Sequence, residues 1–304
     1  VTKALALIGV PSSAAAHRVG QDTAPARLRA AGLVEQLQAA DLEAHDCGDL
    51  PAARFHPDPS HPEAQSLQRV RSVATGVKDQ VQRAVRSGFL PLVIGGDCTI
   101  EIGVLAGLLH HATGLGLLYA DGHVDLNTPN TSPSGIFDGM GMAHIVGVGG
   151  AAPELSRLGP VYPLLAADKV VLFGYNPAEV DEAERRVLAG QPFVTFSVDQ
   201  IRSNGVKAAR EALTLLEDRA DRIAVHLDVD VIDQGDFPAT DVPQRTAGLP
   251  FDDTLECLEV FVSSAKLAAL TIAEFNPEIG EETGSLATKF VARVVRALAR
   301  GLIS

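Results

Sequence analysis

The sequence predicts an α/β protein, a three-layer α/β/α sandwich built on a mainly parallel sheet, and three observations lead there. Short apolar runs of strand length recur at residues 4–10, 90–94, 115–120, 169–173, 193–197, 223–227 and 267–273. Such continuous runs suit strands buried on both faces. Segments of helical period separate them, at residues 25–40, 63–87, 99–110, 178–189, 206–219, 251–263 and 285–302, and these supply the crossovers a parallel sheet requires. Finally, the composition is 46% hydrophobic but only 5% aromatic, with no Trp, so aliphatic side chains must fill the interior.

The first helix carries its own start signal, because Thr23 precedes Ala24-Pro25 and offers an N-cap followed by a proline in the first turn. Two stretches fit neither period. Residues 50–62 hold four prolines and residues 127–150 are rich in Gly, Ser and Thr, so both are expected to be loops. Strands continue on either side of them without a change in composition, and no fixed-period repeat is found, so residues 1–304 read as one domain.

A formal net charge of −13 argues against nucleic-acid and anionic-membrane partners, which call for clustered Lys and Arg. A small or cationic partner suits it better. The three Cys, at 47, 98 and 257, form no disulfide framework, and a reducing, cytoplasmic setting is expected. The apolar run at residues 4–10 stops at Pro11, and no later run approaches the roughly 18 apolar residues of a membrane span, so neither a secretory signal nor a span is expected.

Chemistry-bearing residues gather where strands end. The run at 90–94 leads into Gly95-Gly96-Asp97-Cys98, that at 115–120 into Asp121-Gly122-His123-Val124-Asp125, that at 223–227 into Asp228-Val229-Asp230, and that at 267–273 into Glu274-Phe275-Asn276-Pro277. In an open parallel sheet, ligands bind beyond the carboxyl ends of the strands. Alternate residues of an extended chain point the same way, so Asp121, His123 and Asp125 can converge, as can Asp228 and Asp230. Five such ligands exceed what one tetrahedral zinc uses, and mostly oxygen donors suit hard ions such as manganese. A pair of ions would also relieve repulsion among the aspartates, and could lower the pKa of a shared water to make a nucleophile.

The segments GGDCT, DGHVDLNTPNTSPSG, HLDVDVID with a following FPAT, and AEFNPE, together with the early GQDTAPARLR, resemble in this order the signatures of the arginase, agmatinase and formimidoylglutamase family. The resemblance spans nearly the whole chain. It implies an arginase-like α/β/α sandwich, two manganese ions, hydrolysis of a guanidino or amidino carbon–nitrogen bond, and a trimeric or hexameric homo-oligomer. It implies Asp121 and Asp228 as bridging ligands, Asp125 and Cys98 on one metal, and His123 with Asp230 on the other. Glu274 matches the acid that receives the substrate cation, and Asn127 and Ser134 match positions that hold an amino-acid carboxylate.

The pattern departs from the family at two places. Cys98 stands where the family has a His ligand, and a softer thiolate leaves the occupancy of that ion open or tilts it towards zinc or iron. Asp138 stands where arginases have a His that carries protons, and Asn176 and Val242 lie near positions where arginases recognise the α-amino group. A substrate needing less proton assistance at its leaving group would tolerate the loss. The Cys and the DGHxDxNTPxT stretch also resemble the Nω-hydroxy-L-arginine amidinohydrolases. Agmatinase or formimidoylglutamase chemistry, and a metal-poor, catalytically impaired member with a binding or assembly role, are the alternatives. Cys47, Cys257, His56, His61 and His144 are expected to play no part in the chemistry.

Overall fold

The structure is a computed structural model and describes residues 4–242, 248–280 and 284–303. Eight strands make one sheet: β1 Leu5–Gly9, β2 Ala44–Asp49, β3 Leu90–Ile94, β4 Leu115–Ala120, β5 Val170–Phe173, β6 Val194–Phe196, β7 Arg222–Asp228 and β8 Leu267–Ala273. Their order is β2-β1-β3-β8-β7-β4-β5-β6, and every pairing between them is parallel. The helices among the described residues are α1 Ala24–Ala30, α2 Leu33–Ala39, α3 Leu67–Arg86, α4 Ile100–Leu108, α5 Gly141–Ile145, α6 Pro153–Ser156, α7 Glu182–Gly190, α8 Val198–Ile201, α9 Gly205–Glu217, α10 Phe251–Val262 and α11 Ser285–Ile303. No helix among them is long and apolar enough to cross a membrane.

Period-two alternation along the strands creates the three layers. Leu5 and Leu7 of β1, Leu118 of β4 and Val225 of β7 pack with Leu28 of α1, Leu37 of α2, Leu213 of α9, Leu258 of α10 and Val294 of α11. Ala6, Leu117, Tyr119 and Ala224 of the same strands pack with Val77 of α3, Val104 of α4 and Ile145 of α5 on the other face. The result is the expected α/β/α sandwich.

Four local expectations change. Strand β2 escapes an apolar-run search because it is a polar edge strand, AHDCGD, exposed along nearly its whole length, and charged edges deter further pairing. The helix expected over residues 25–40 is two helices, since Gly32 adopts φ 85° and stops the first. Residues 127–150 are not loop throughout: a 3-10 turn at Asp138–Met140 leads into α5, whose buried Met142 and Ile145 are masked by surrounding glycines. Thr23 occupies the N-cap of α1, yet its hydroxyl donates back to Gly20 O at 2.8 Å rather than capping the helix.

Helix α4 is buried on all sides and lies very close to α3. A Cβ on Gly103 would overlap the carbonyl oxygen of Ala74 and stand 2.8 Å from Val77 Cβ. Gly103→Ala is therefore expected to destabilise the protein by about 1–3 kcal/mol by prising the two helices apart. A lowered denaturant midpoint with an unchanged slope would register this, whereas an unchanged midpoint would mean that the helices have slack.

Candidate metal centre

The strands that end in chemistry, β3, β8, β7 and β4, are consecutive neighbours in the middle of the sheet, so their carboxyl ends share one rim. Each delivers its residues by a local device. After β3 the chain turns through Gly95 and Gly96, both at φ 86°, a conformation L side chains rarely adopt, and so reaches Cys98. After β4 and β7 the same Asx-type turn is used twice: Asp121 Oδ1 accepts from the His123 backbone N–H at 2.5 Å, and Asp228 Oδ1 from that of Asp230 at 2.6 Å. Residues 121–125 are thus a turn rather than an extended run, with Asp125 at φ 50°. Glu274, at φ 67°, follows β8 and donates its N–H to Gly96 O.

The turns bring two adjoining donor sets together. In one, His123 Nδ1 is 2.9 Å from Asp230 Oδ2 and 3.6 Å from Asp121 Oδ1. In the other, Cys98 Sγ is 2.9 Å from Asp228 Oδ2, 3.2 Å from His226 Nε2 and 3.8 Å from Asp121 Oδ2. Asp121 belongs to both sets, and ligand atoms within each lie no more than 4.8 Å apart. Asp125 joins neither set, and its Oδ2 accepts the Tyr119 hydroxyl at 2.5 Å. A third group unites Cys98, Asp138 and Glu274 within the same limit.

These donors fit divalent cations. Burial, then Asp230 and Asp121, drives Asp228 well above the usual carboxylate range. Burial, then Asp138 and Asp228, does the same to Glu274, whose Oε1 is buried without a hydrogen-bond partner while Oε2 accepts from Gln21 Nε2 at 2.6 Å. Asp125 and Asp138 are raised for the same first reason, burial, followed by neighbouring acids. Burial, then Asp228 and Asp121, pushes the Cys98 thiol up. Burial alone would lower His123, but Asp230 and its hydrogen bonds raise it well above an ordinary imidazole. Acids and thiol alike are held from their charged forms for lack of positive charge.

Beside the donors opens a cavity of about 350 Å³. Its described lining includes His17, Cys98, His123 and seven acids, Asp125, Asp138, Glu179, Asp181, Glu184, Asp228 and Asp230, but no Lys or Arg. Asn127 and Ser134 also line it. Asn127 is fixed by Nδ2 donating to Asp181 Oδ2 and by Thr131 Oγ1 donating to Oδ1, each at 2.8 Å. Asp181 also caps α7 in a reciprocal box with Glu184. Asp138 Oδ1 accepts the Cys98 backbone N–H at 3.0 Å. Glu274 is not among the residues lining the cavity, and its carboxylate lies within 4.8 Å of the ligand atoms of Cys98 and Asp138, which are.

His144 is structural. Its Nδ1 faces Met140 O at 2.7 Å, its Nε2 accepts from Ala152 N, and burial lowers it to about 4. His56 and His61 are exposed, and Cys257 is buried in the core. Reading the sequence missed His17, Glu179 and His226. Only His226 left a signal, since it precedes Asp228 by two residues on one strand and so shares its face.

A parallel α/β/α sandwich carrying adjoining Asp, His and Cys donor sets at its central strand ends defines an arginase-type hydrolase fold. The arginase family model matches residues 3–297, and the chain belongs to that family, hydrolases of carbon–nitrogen bonds in linear amidines. It is 31% identical over 291 residues to the arginase of Bacillus caldovelox, covering 94% of this chain and 95% of the relative. The native structure of that arginase matches with a TM-score of 0.86 at 29% identity, over 98% of both chains. The Trypanosoma cruzi formiminoglutamase solved with Mn²⁺ shares the fold at a TM-score of 0.73 and 16% identity, over 97% of this chain and 94% of the other.

The raised acids set the pH response of the metal-stripped protein. Asp125, Asp138, Asp228 and Glu274 keep protons in the folded state that the unfolded chain releases near 3.8 and 4.5. Their stabilisation is complete below those values and is lost as pH rises through the raised folded values. His144 opposes this only below 6.5, where its depressed folded value makes stability fall with falling pH. Between pH 6.5 and about 8.5, then, divalent metal is expected to raise Tm by a growing margin, widening by at least ~2 °C, as roughly 1 kcal/mol does in a domain of this order of size. Thermal melts of stripped and loaded protein read the margin. A constant margin would count against the cluster as the binding place.

Proposed function

We propose that the chain, acting as a single ureohydrolase domain over residues 1–304, hydrolyses the guanidino or amidino carbon–nitrogen bond of an amino-acid-type substrate, with Nω-hydroxy-L-arginine favoured. The observation that carries this reading is the cavity beside the donor sets, whose described lining holds, besides the proposed ligands, Asp138, Glu179, Asp181 and Glu184 and no Lys or Arg. Such a wall favours a small cation, a guanidinium or amidinium among them, over neutral or anionic molecules. Two divalent ions, manganese in this reading, would be held by Asp121 and Asp228 together with His123 and Asp230 for one and Cys98 for the other, where Asp125, outside both donor sets and bonded to Tyr119, would have to turn to complete the set. When bound they supply Lewis acidity and a water acidic enough to serve as nucleophile near neutral pH.

The remaining residues receive roles from their surroundings. Glu274, off the cavity lining but with its carboxylate within 4.8 Å of the lining residues Cys98 and Asp138, is assigned the neutralisation of a substrate cation reaching past them, since a guanidinium nearby favours the ionised form that burial disfavours in its absence. Asn127 and Ser134, neutral groups on the cavity wall, are assigned to the substrate carboxylate. The bonds from Asp181 and Thr131 hold the Asn127 amide in one orientation, which limits the entropy lost on binding. Asp138, fixed by the Cys98 N–H, is the proton-handling candidate.

Manganese-loaded protein assayed with L-arginine, Nω-hydroxy-L-arginine, agmatine, guanidinobutyrate and formimidoylglutamate is expected to turn over Nω-hydroxy-L-arginine best. Turnover of L-arginine alone would contradict the substrate assignment, and no turnover without metal uptake would support a metal-poor relative. Cys98→His is expected to raise manganese content towards two ions per chain, measured by atomic emission. Unchanged content would clear the thiol of limiting occupancy.

A further inference from the structure

We propose that His226 is a metal ligand of this chain, completing with Cys98, Asp121 and Asp228 a four-donor site that selects a zinc-type ion over manganese. The inference rests on the metal-centre reading above and assigns it an imidazole that the Cys98 position lacks. His226 and Glu101 are each 0% exposed, in the densely packed layer between β7 and α4. Burying an imidazole and a carboxylate together is costly unless each is engaged. His226 Nδ1 is 3.3 Å from Glu101 Oε2, and its Nε2 turns to Cys98 Sγ at 3.2 Å. The Tyr119 ring stacks on the imidazole with centroids 4.5 Å apart and planes 11° from parallel, which fixes its rotation.

This is the arrangement in which histidines bind metals, one ring nitrogen donating to a carboxylate so that the other presents its lone pair. Donor atoms around a tetrahedral ion with bonds of 2.0–2.3 Å lie roughly 3.3–3.8 Å apart. From Cys98 Sγ, the distances are 2.9 Å to Asp228, 3.2 Å to His226 and 3.8 Å to Asp121, the first two shorter than that range and the last at its upper edge, so small side-chain shifts would seat an ion among them. A sulfur, a nitrogen and two oxygens are the donors of a borderline-soft, four-coordinate ion. The set around His123 has carboxylates and one imidazole, a harder mixture. The centre is thereby asymmetric, and Glu101 is a positioning residue for the softer half.

Cobalt(II) titration of the metal-stripped full chain tests this without relying on turnover. Wild-type protein is expected to show a thiolate-to-cobalt charge-transfer band with intense, four-coordinate ligand-field bands, and zinc is expected to displace cobalt there far better than manganese does. His226→Asn is expected to keep the thiolate band, weaken the ligand-field bands and lower affinity by more than 100-fold. Glu101→Gln, nearly isosteric and so the safer variant to fold, is expected to lower affinity by about 10- to 100-fold, as loss of an orienting carboxylate does. If both variants matched wild type in spectrum and affinity, His226 would not be a ligand, while the hydrolase reading would stand on the wild-type metal content. If wild-type protein took up no metal, both readings would fall.

Discussion

Taking a carboxylate out of water costs several kcal/mol unless something positive meets it, and this chain buries Asp121, Asp125, Asp138, Asp228, Asp230 and Glu274 along one rim of its sheet. His123 stands among them, 2.9 Å from Asp230, and His226 lies beside Cys98, but two imidazoles cannot balance six carboxyl groups. In the protein alone the balance is struck with protons, which is why Asp125, Asp138, Asp228, Asp230, Glu274 and the Cys98 thiol are displaced towards their neutral forms. Divalent ions strike it better. The scaffold can be understood as what is needed to hold that unfavourable assembly until cations arrive.

A parallel sheet suits the task because all its carboxyl ends lie on one side. Here the four acid-bearing strands are also adjacent, although β3 and β8 lie far apart in the chain. The repeated Asp turn, at 121 and 228, does two things with one side chain. One carboxylate oxygen binds the backbone N–H two residues on, and the other faces the donor set. Backbone and ligand are therefore positioned by a single bond. The left-handed Asp125 and Glu274 are strained conformations of the kind that persist only where surrounding structure enforces them.

Much of this was legible in the sequence because burial leaves a one-dimensional trace. Three strands, β3, β4 and β8, begin and end where their apolar runs do, and those runs point straight at Cys98, Asp121 and Glu274. Strand β2 left no such trace, because an edge strand is stabilised by backbone pairing to β1 and needs no apolar side chains. Asp125 illustrates a different point. Strand alternation predicts it beside Asp121, whereas the chain reaches it through a turn at Gly122, where its carboxylate accepts the Tyr119 hydroxyl and lines the cavity. His226 was hidden by its neighbours: inside an apolar strand a histidine reads as core, and only the three-dimensional approach of Glu101 and Cys98 separates the two meanings.

The two halves of the centre depend on protons unequally. In the His123 half the donors are carboxylates and an imidazole, groups whose protons a cation displaces readily near neutral pH. In the Cys98 half the thiol must also ionise, and burial together with Asp228 and Asp121 holds it protonated. A metal ion entering that half releases the thiol proton against a field of negative charge, and only its own charge makes this favourable. Burial and the same acids disfavour a free thiolate at Cys98. An ion bound there would have to overcome that suppression, and the ion that binds thiolate most strongly does so best.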